Sequence, residues 1–148
     1  MIKRILAATD GSEQGQQAAA YAVDLSGNLG SGLTILSVID LTALSGQSIP
    51  GRLSPTHLIE PVDDLLKQTA EEYMKEIEEK GKKLGIPVRK VIRRGNAVEE
   101  IVLEARESKA DLIVLGSRGR SMFKSILLGS VTLGVLHHAH VPVLIFRK

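Results

Sequence analysis

Short apolar runs alternate along the chain with longer segments whose apolar residues recur at helical spacing. The first run, Arg4-Ile5-Leu6-Ala7-Ala8-Thr9, reads as a strand stopped by the turn pair Asp10-Gly11. Ser12 is placed to cap the helix that follows, whose packed face carries Ala18, Ala19, Ala22, Val23 and Leu25. Gly27-Asn28-Leu29-Gly30 ends that helix, because Gly and Asn tolerate the left-handed conformation. Leu33-Thr34-Ile35-Leu36-Ser37-Val38-Ile39 is apolar enough for a strand covered on both faces. From Leu41 to Pro61 the periodicity is lost among Pro50, Pro55, Pro61, Gly46 and Gly51, which predicts a mobile loop. Val62, Leu65, Leu66, Ala70, Tyr73, Met74, Ile77 and Leu84 then mark a long amphipathic helix, terminated by Gly85-Ile86-Pro87. Val88 to Arg93 is the most polar strand and is expected at a sheet edge. Asn96-Ala97-Val98-Glu99 reads as a capping box opening a helix through Ile101, Val102 and Ala105. Asp111 to Leu115 is a fourth strand ending at Gly116, a further helix starts near Gly129-Ser130, and Val143 to Phe146 is the last strand.

Five strands alternating with four helices predict one three-layer α/β/α domain over residues 1–148, with a mainly parallel sheet and right-handed crossovers. The natural strand order is 3-2-1-4-5. Strands one and four are then neighbours at the switch point, where open α/β sheets bind ligands beyond the strands' C-terminal ends. Thr9-Asp10-Gly11 and Gly116-Ser117-Arg118-Gly119 should face each other across that crevice.

Composition narrows the chemistry. The 148 residues suit one domain, and 43% hydrophobic with 24% charged residues argues against disorder. Aromatics are 3% with no Trp, too few for a stacking platform on single-stranded nucleic acid. The lack of Cys excludes a disulfide framework, a Cys-ligated zinc and thiol catalysis. No apolar stretch approaches the ~20 residues of a membrane span and the start lacks a signal-peptide core, so a cytoplasmic protein with no membrane partner is expected. The net charge of +2 conceals a split: the last 37 residues carry +5 and the first 111 carry −3. Arg118, Arg120 and Lys124 lie within seven residues beside a Gly-containing loop, which points to a local anion site.

That loop carries the most informative spacing: Gly116-Ser117-Arg118-Gly119, nine residues, then Gly129-Ser130-Val131-Thr132. Gly116 and Gly119 are expected to supply positive φ and close approach, with successive amides forming an anion-binding concavity. Gly129-Ser130 opens a helix whose N–H groups and dipole favour phosphate. The hydroxyls of Ser117, Ser121, Ser130 and Thr132 are further candidate donors. GxxxxGK[ST] and GxGxxG are both absent. Asp10, at a strand's C-terminal end, either serves the ligand or caps the following turn; the ligand role is the favoured reading. His137, His138 and His140 near a helix C-terminus suit the dipole better than a metal, and His57 is expected to be solvated. Arg89, Lys90, Arg93 and Arg94 read as guards of an edge strand in preference to a nucleic-acid patch. Asp63-Asp64 and Glu78-Glu79 fit a charged helix face.

Together these residues resemble the universal stress protein family, whose ATP-binding members carry G-x2-G-x9-G-[ST]. The resemblance extends over Ile5-Leu6-Ala7-Ala8-Thr9-Asp10-Gly11-Ser12, Leu36-Ser37-Val38-Ile39-Asp40, Arg94-Gly95-Asn96, both glycine segments, and His140-Val141-Pro142-Val143. Ala97 stands where many relatives carry Pro, and either suits a first helical position. The resemblance implies a Rossmann-like, adenine nucleotide alpha-hydrolase-like fold. It also implies bound ATP (or AMP or ADP), with Mg or Mn held mainly through the phosphates. Carried over, Ala8, Thr9 and Asp10 line the adenosine, with Asp10 near the ribose, and Val38 touches adenine. Leu115, Gly116, Ser117, Arg118 and Gly119 surround ribose and phosphates, and Gly129, Ser130, Val131 and Thr132 present amides to the phosphates. Similar proteins form homodimers through the last strand, and the apolar edge Val141–Phe146 suits that. A stress-response protein switched by nucleotide is the leading expectation, and a slow ATPase or autokinase at the same site the alternative. A phosphoacceptor domain is disfavoured because Arg93-Arg94-Gly95 follows the third strand in place of an acceptor Asp. Adenylate-forming relatives are disfavoured because HIGH and SGGxDS are missing.

Overall fold

The computed structural model describes residues 1–41, 55–119 and 128–147. In chain order the described elements are β1 (Arg4–Ala8), α1 (Glu13–Leu29), β2 (Gly32–Ile39), α2 (Pro55–Lys83), β3 (Val88–Arg94), α3 (Ala97–Glu107), β4 (Leu112–Gly116), α4 (Ser130–His138) and β5 (Val143–Phe146). All strand pairs are parallel and the order is β3-β2-β1-β4-β5, as the connection rules predicted.

Alternation along the central strands builds two cores. Ile5, Ala7, Ile35 and Val114 pack on one face with Ala18, Ala22 and Val23 of α1 and Met74 and Ile77 of α2. Leu6, Leu36, Ile113 and Leu115 pack on the other with Ile101 and Ala105 of α3 and Val135 of α4. Each such aliphatic side chain contributes about 1.5–3 kcal/mol on burial. Gly134 lets α4 approach α3 closely: a β-carbon there would fall 2.6 Å from Val98 Cγ2. The helix ends follow local chemistry. Ser12 Oγ accepts the Gly15 N–H at the start of α1, and Gly30, at φ +65, closes it. Asn96 Oδ1 accepts the Glu99 N–H at the start of α3.

One expectation needs correction here, and one is refined. α2 begins at Pro55, so Pro61 lies inside a helix and does not end a loop. Pro61 is exposed, and the carbonyl freed by its missing N–H can turn to water. The rest of the expected loop, 42–54, lies outside the described residues, as do Arg120, Ser121 and Lys124. The refinement concerns β3, which lies at the sheet edge as expected, and whose cations also form ion pairs with the covering helices. Arg93 reaches the buried Glu104 at 2.7 Å, Glu100 at 3.3 Å, and Glu107. Arg94 holds Asp63 through two bonds of 2.7 and 2.9 Å. Lys90 pairs with Glu78 at 3.2 Å, and Arg89 lies 3.8 Å from Glu104.

Two carboxyls titrate below the usual range. The Arg94 guanidinium lowers Asp63, and the backbone N–H groups of Lys3 and Arg4 lower Asp111. Asp111, just before β4, accepts those N–H groups at 2.9 and 3.0 Å and so pins β4 to the start of β1. A depressed folded-state value stabilises fully above the ordinary carboxyl value, and that contribution is lost as the pH falls from there through the lower folded-state value. Asp111→Asn should therefore be less stable than the parent at neutral pH. The gap should narrow as the pH falls below the ordinary value of 3.8 and close only below the depressed folded-state value, as urea unfolding across that range would show.

Candidate functional site

The C-terminal ends of β1, β2 and β4 open into a crevice of about 260 Å³, closed by the first turns of α3 and α4. Twelve of the thirteen candidate residues line it: Ala8, Thr9, Asp10, Val38, Leu115, Gly116, Arg118, Gly119, Gly129, Ser130, Val131 and Thr132. Ser117 does not. It is 3% exposed and its hydroxyl donates to Gln14 Oε1 at 2.7 Å. Thr132 lines the crevice, yet its hydroxyl donates to the Gly116 carbonyl at 2.9 Å, so it is not a free donor.

The β1 side is fixed by a chain of polar contacts. Thr9 extends the sheet by one bond, its N–H donating to the Leu36 carbonyl at 2.9 Å. Its hydroxyl donates to Gln16 Oε1 at 2.8 Å and accepts the Gly11 N–H at 3.2 Å. Asp10 Oδ1 accepts the Ser12 N–H at 3.0 Å. The capping alternative for Asp10 is thus partly right: it shapes the turn, while its carboxylate stays on the crevice wall. Gly11 turns the chain at φ +81 against the ring of Tyr73.

The glycine loop works differently from the sequence expectation. Neither Gly116 nor Gly119 has positive φ; among the described residues that region holds Gly11, Gly30, Gly85, Gly95 and Lys109. Their requirement is space. A β-carbon on Gly116 would lie 3.1 Å from the Gln14 carbonyl oxygen, and one on Gly119 would lie 2.6 Å from Asp10 Oδ2. Nor do successive amides converge on a ligand. The Ser117 N–H donates to the Phe146 carbonyl at 3.0 Å, and the Arg118 N–H to Gln14 Oε1 at 3.1 Å. The Gly129 N–H donates to the Ser117 carbonyl at 2.7 Å, tying the two glycine segments together.

Among the described residues, the start of α4 offers further donors. Its first internal bond runs from the Leu133 N–H to the Gly129 carbonyl, leaving the N–H groups of Ser130, Val131 and Thr132 outside the helical ladder. α1 and α3 carry capping side chains; α4 has none, and no acid in its first turn. Arg118, whose Cα would lie 3.5 Å from a β-carbon on Gly129, lines the crevice beside that end. The opposite end is aliphatic, with Ala8, Val38, Ala97, Ile101 and Leu115 and no aromatic ring among the described lining residues. Val38 also offers its backbone. Main-chain groups of a parallel strand alternate in direction, and Leu36 bonds toward β1. Val38, two residues on, faces the same side beyond the last β1 residue.

Gly15, Ala97 and Ile101 line the crevice without having been candidates. Gly15 is needed for contact, since a β-carbon there would fall 2.8 Å from Asp10 Oδ1. Gln14, which holds the glycine loop, is likewise new. The three C-terminal histidines do not converge: His138 Nδ1 meets the Gly134 carbonyl and His140 Nε2 meets Arg106. Among the described residues no group of three His, Cys, Asp or Glu could hold a metal ion, and no helix is long and apolar enough to cross a membrane.

Comparison with known proteins agrees with this architecture. The chain is 31% identical to universal stress protein MJ0531 of Methanocaldococcus jannaschii, over 100% of this chain and 84% of that protein. The solved structure of MJ0577 superposes with a TM-score of 0.86 at 31% identity, covering 100% of this chain and 98% of the other. A universal stress protein solved in complex with cAMP shares the fold at a TM-score of 0.72 and 24% identity, over 99% and 97% of the two chains. The universal stress protein family model matches residues 1–147. The chain belongs to the universal stress protein family.

Proposed function

We propose that the crevice binds an adenine nucleotide, ATP foremost, and that occupancy acts as a structural signal in a cytoplasmic stress-response protein. The carrying observation is the start of α4: an uncapped helix N-terminus that faces a crevice, with Arg118 beside it, matches the terminal phosphates. The aliphatic end suits the base, which would be held by Ala8, Val38, Ile101 and Leu115 and by the Val38 main chain, without ring stacking. Asp10 lines the same crevice, and its carboxylate would accept the ribose hydroxyls. Asp10 is the one carboxylate among the described lining residues, so Mg or Mn would be carried mainly by the phosphates. The fold's ability to hold such a ligand is illustrated by the relative in complex with cAMP.

Signalling is favoured over turnover by how the loop is wired. Ser117 joins the phosphate end to β5 through its N–H bond to Phe146 and to α4 through its carbonyl. β5 is a sheet edge with every residue only half-buried, which supports a homodimer through this strand. A nucleotide that shifts the loop would shift the dimer edge with it. A slow ATPase would need a base, and among the described lining residues the one carboxylate is Asp10, which the ribose would occupy.

Chromatography of nucleotide released by heat from the purified protein tests the reading. Retained ATP, unhydrolysed over hours, is the expected result. No adenine nucleotide on the protein, and no binding on adding ATP with magnesium, would overturn it.

A further inference from the structure

We propose a second ligand site, for a small aliphatic carboxylate, in the groove between α3 and the α4–β5 turn. The groove has a volume of about 220 Å³ and lies at the N-terminal ends of β4 and β5, the opposite end of the sheet from the crevice. Its floor is apolar, formed by Val102, Ala105, Ala139 and Val141. Its rim is cationic or basic, formed by Arg106, Lys109 and His140.

Three observations support a ligand here. First, the cations are uncompensated. Arg89, Arg93 and Arg94 all pair with acids, and Glu107, adjacent to Arg106, is taken by Arg93. Among the described residues, Arg106 and Lys109 have no carboxylate partner. Second, Arg106 is oriented. One guanidinium nitrogen meets His140 Nε2 at 2.5 Å; since Arg can only donate, that imidazole nitrogen accepts and its proton sits on Nδ1. The contact steadies the fork at the groove mouth and leaves further N–H donors for an oxygen pair. Third, Lys109 occupies a position that favours glycine. It follows the α3 cap at φ +53, with the Ala110 N–H closing onto the Ala105 carbonyl, the place where a helix end prefers a residue without a β-carbon. A lysine there costs backbone energy that a glycine would not, and the residue lines the groove.

The pairing of floor and rim sets the ligand class. An inorganic anion would satisfy the rim and leave the apolar floor wet; an uncharged aliphatic molecule would cover the floor and leave the cations unanswered. A short alkyl chain ending in a carboxylate meets both.

Calorimetric titration of the full-length protein with hexanoate, hexanol and inorganic phosphate tests this. Saturable hexanoate binding is expected, with hexanol and phosphate each at least about tenfold weaker. Arg106→Gln should weaken hexanoate about tenfold. Lys109→Gly should weaken it similarly while raising the melting temperature by about 2–4 °C, which separates a lost ligand contact from a damaged fold. Equal binding of hexanol, equal binding of phosphate, or full hexanoate affinity in both variants would overturn the site.

Discussion

Gly119→Val is expected to weaken ATP binding by at least about 100-fold, some 2.7 kcal/mol, while the fold survives. The reason is local. A β-carbon at 119 lies 2.6 Å from Asp10 Oδ2, and Asp10 cannot simply retreat because Ser12 holds its other oxygen at 3.0 Å. Either the carboxylate swings into the crevice or the loop lifts away from it. Both outcomes occupy or dismantle the same space, and neither disturbs the buried strands. Gly129→Ala is the matched control. Its β-carbon would sit 3.5 Å from Arg118 Cα and 3.6 Å from the Gly119 nitrogen, ordinary contacts. With φ at −70, Gly129 needs no glycine backbone, so affinity within about threefold of the parent is expected. Titration calorimetry with ATP and magnesium, beside thermal melts of both variants, checks the pair.

The largest effect on stability is expected at Gly11. Gly11→Ala places a side chain in the left-handed region, at φ +81, for about 1–2 kcal/mol. Its β-carbon also meets Tyr73 Cδ2 at 2.5 Å, adding overpacking of about 1–3 kcal/mol. Tyr73 cannot easily yield. Its hydroxyl bonds Ser37 Oγ and its carbonyl accepts Gln16 Nε2 at 2.9 Å, while Gln16 Oε1 accepts the Thr9 hydroxyl. Urea unfolding should therefore show a loss of about 2–5 kcal/mol. In a Tyr73→Ala background the steric part should vanish and only the backbone part remain. An equal cost in both backgrounds would show that the ring is not what confines the turn.

How far the sequence carried the reading depends on where each signal lives. Strand order was legible because crossover handedness and edge composition leave few choices, and β3 declared itself by its four cations. Helix caps were legible at Ser12 and Asn96, where a side chain bonds an N–H three residues on. What failed was anything set by contacts distant in the chain. The glycines of the loop looked like positive-φ residues; they are glycine because Gln14 of α1 and Asp10 of the β1–α1 turn press on them. Ser117 looked like a ligand donor until α1 brought Gln14 beside it. Ala97 and Ile101 line the crevice because α3 opens beside it, a placement that local pattern does not encode. Pro61 marked a loop end by local rule, yet an exposed turn of α2 accommodates it. The mapping of residues to the crevice was thus legible, while the division of labour within it was not.

The most direct test is an amide chemical-shift titration of the labelled protein with ATP and magnesium. One saturable event should move the amides of Ser130, Val131 and Thr132 together with that of Val38, marking the phosphate and adenine ends of a single ligand. The amides of Ser117 and Gly129, already bonded within the protein, should respond less. Saturation that leaves Ser130 to Thr132 unmoved, or no binding at millimolar ATP, would contradict the account.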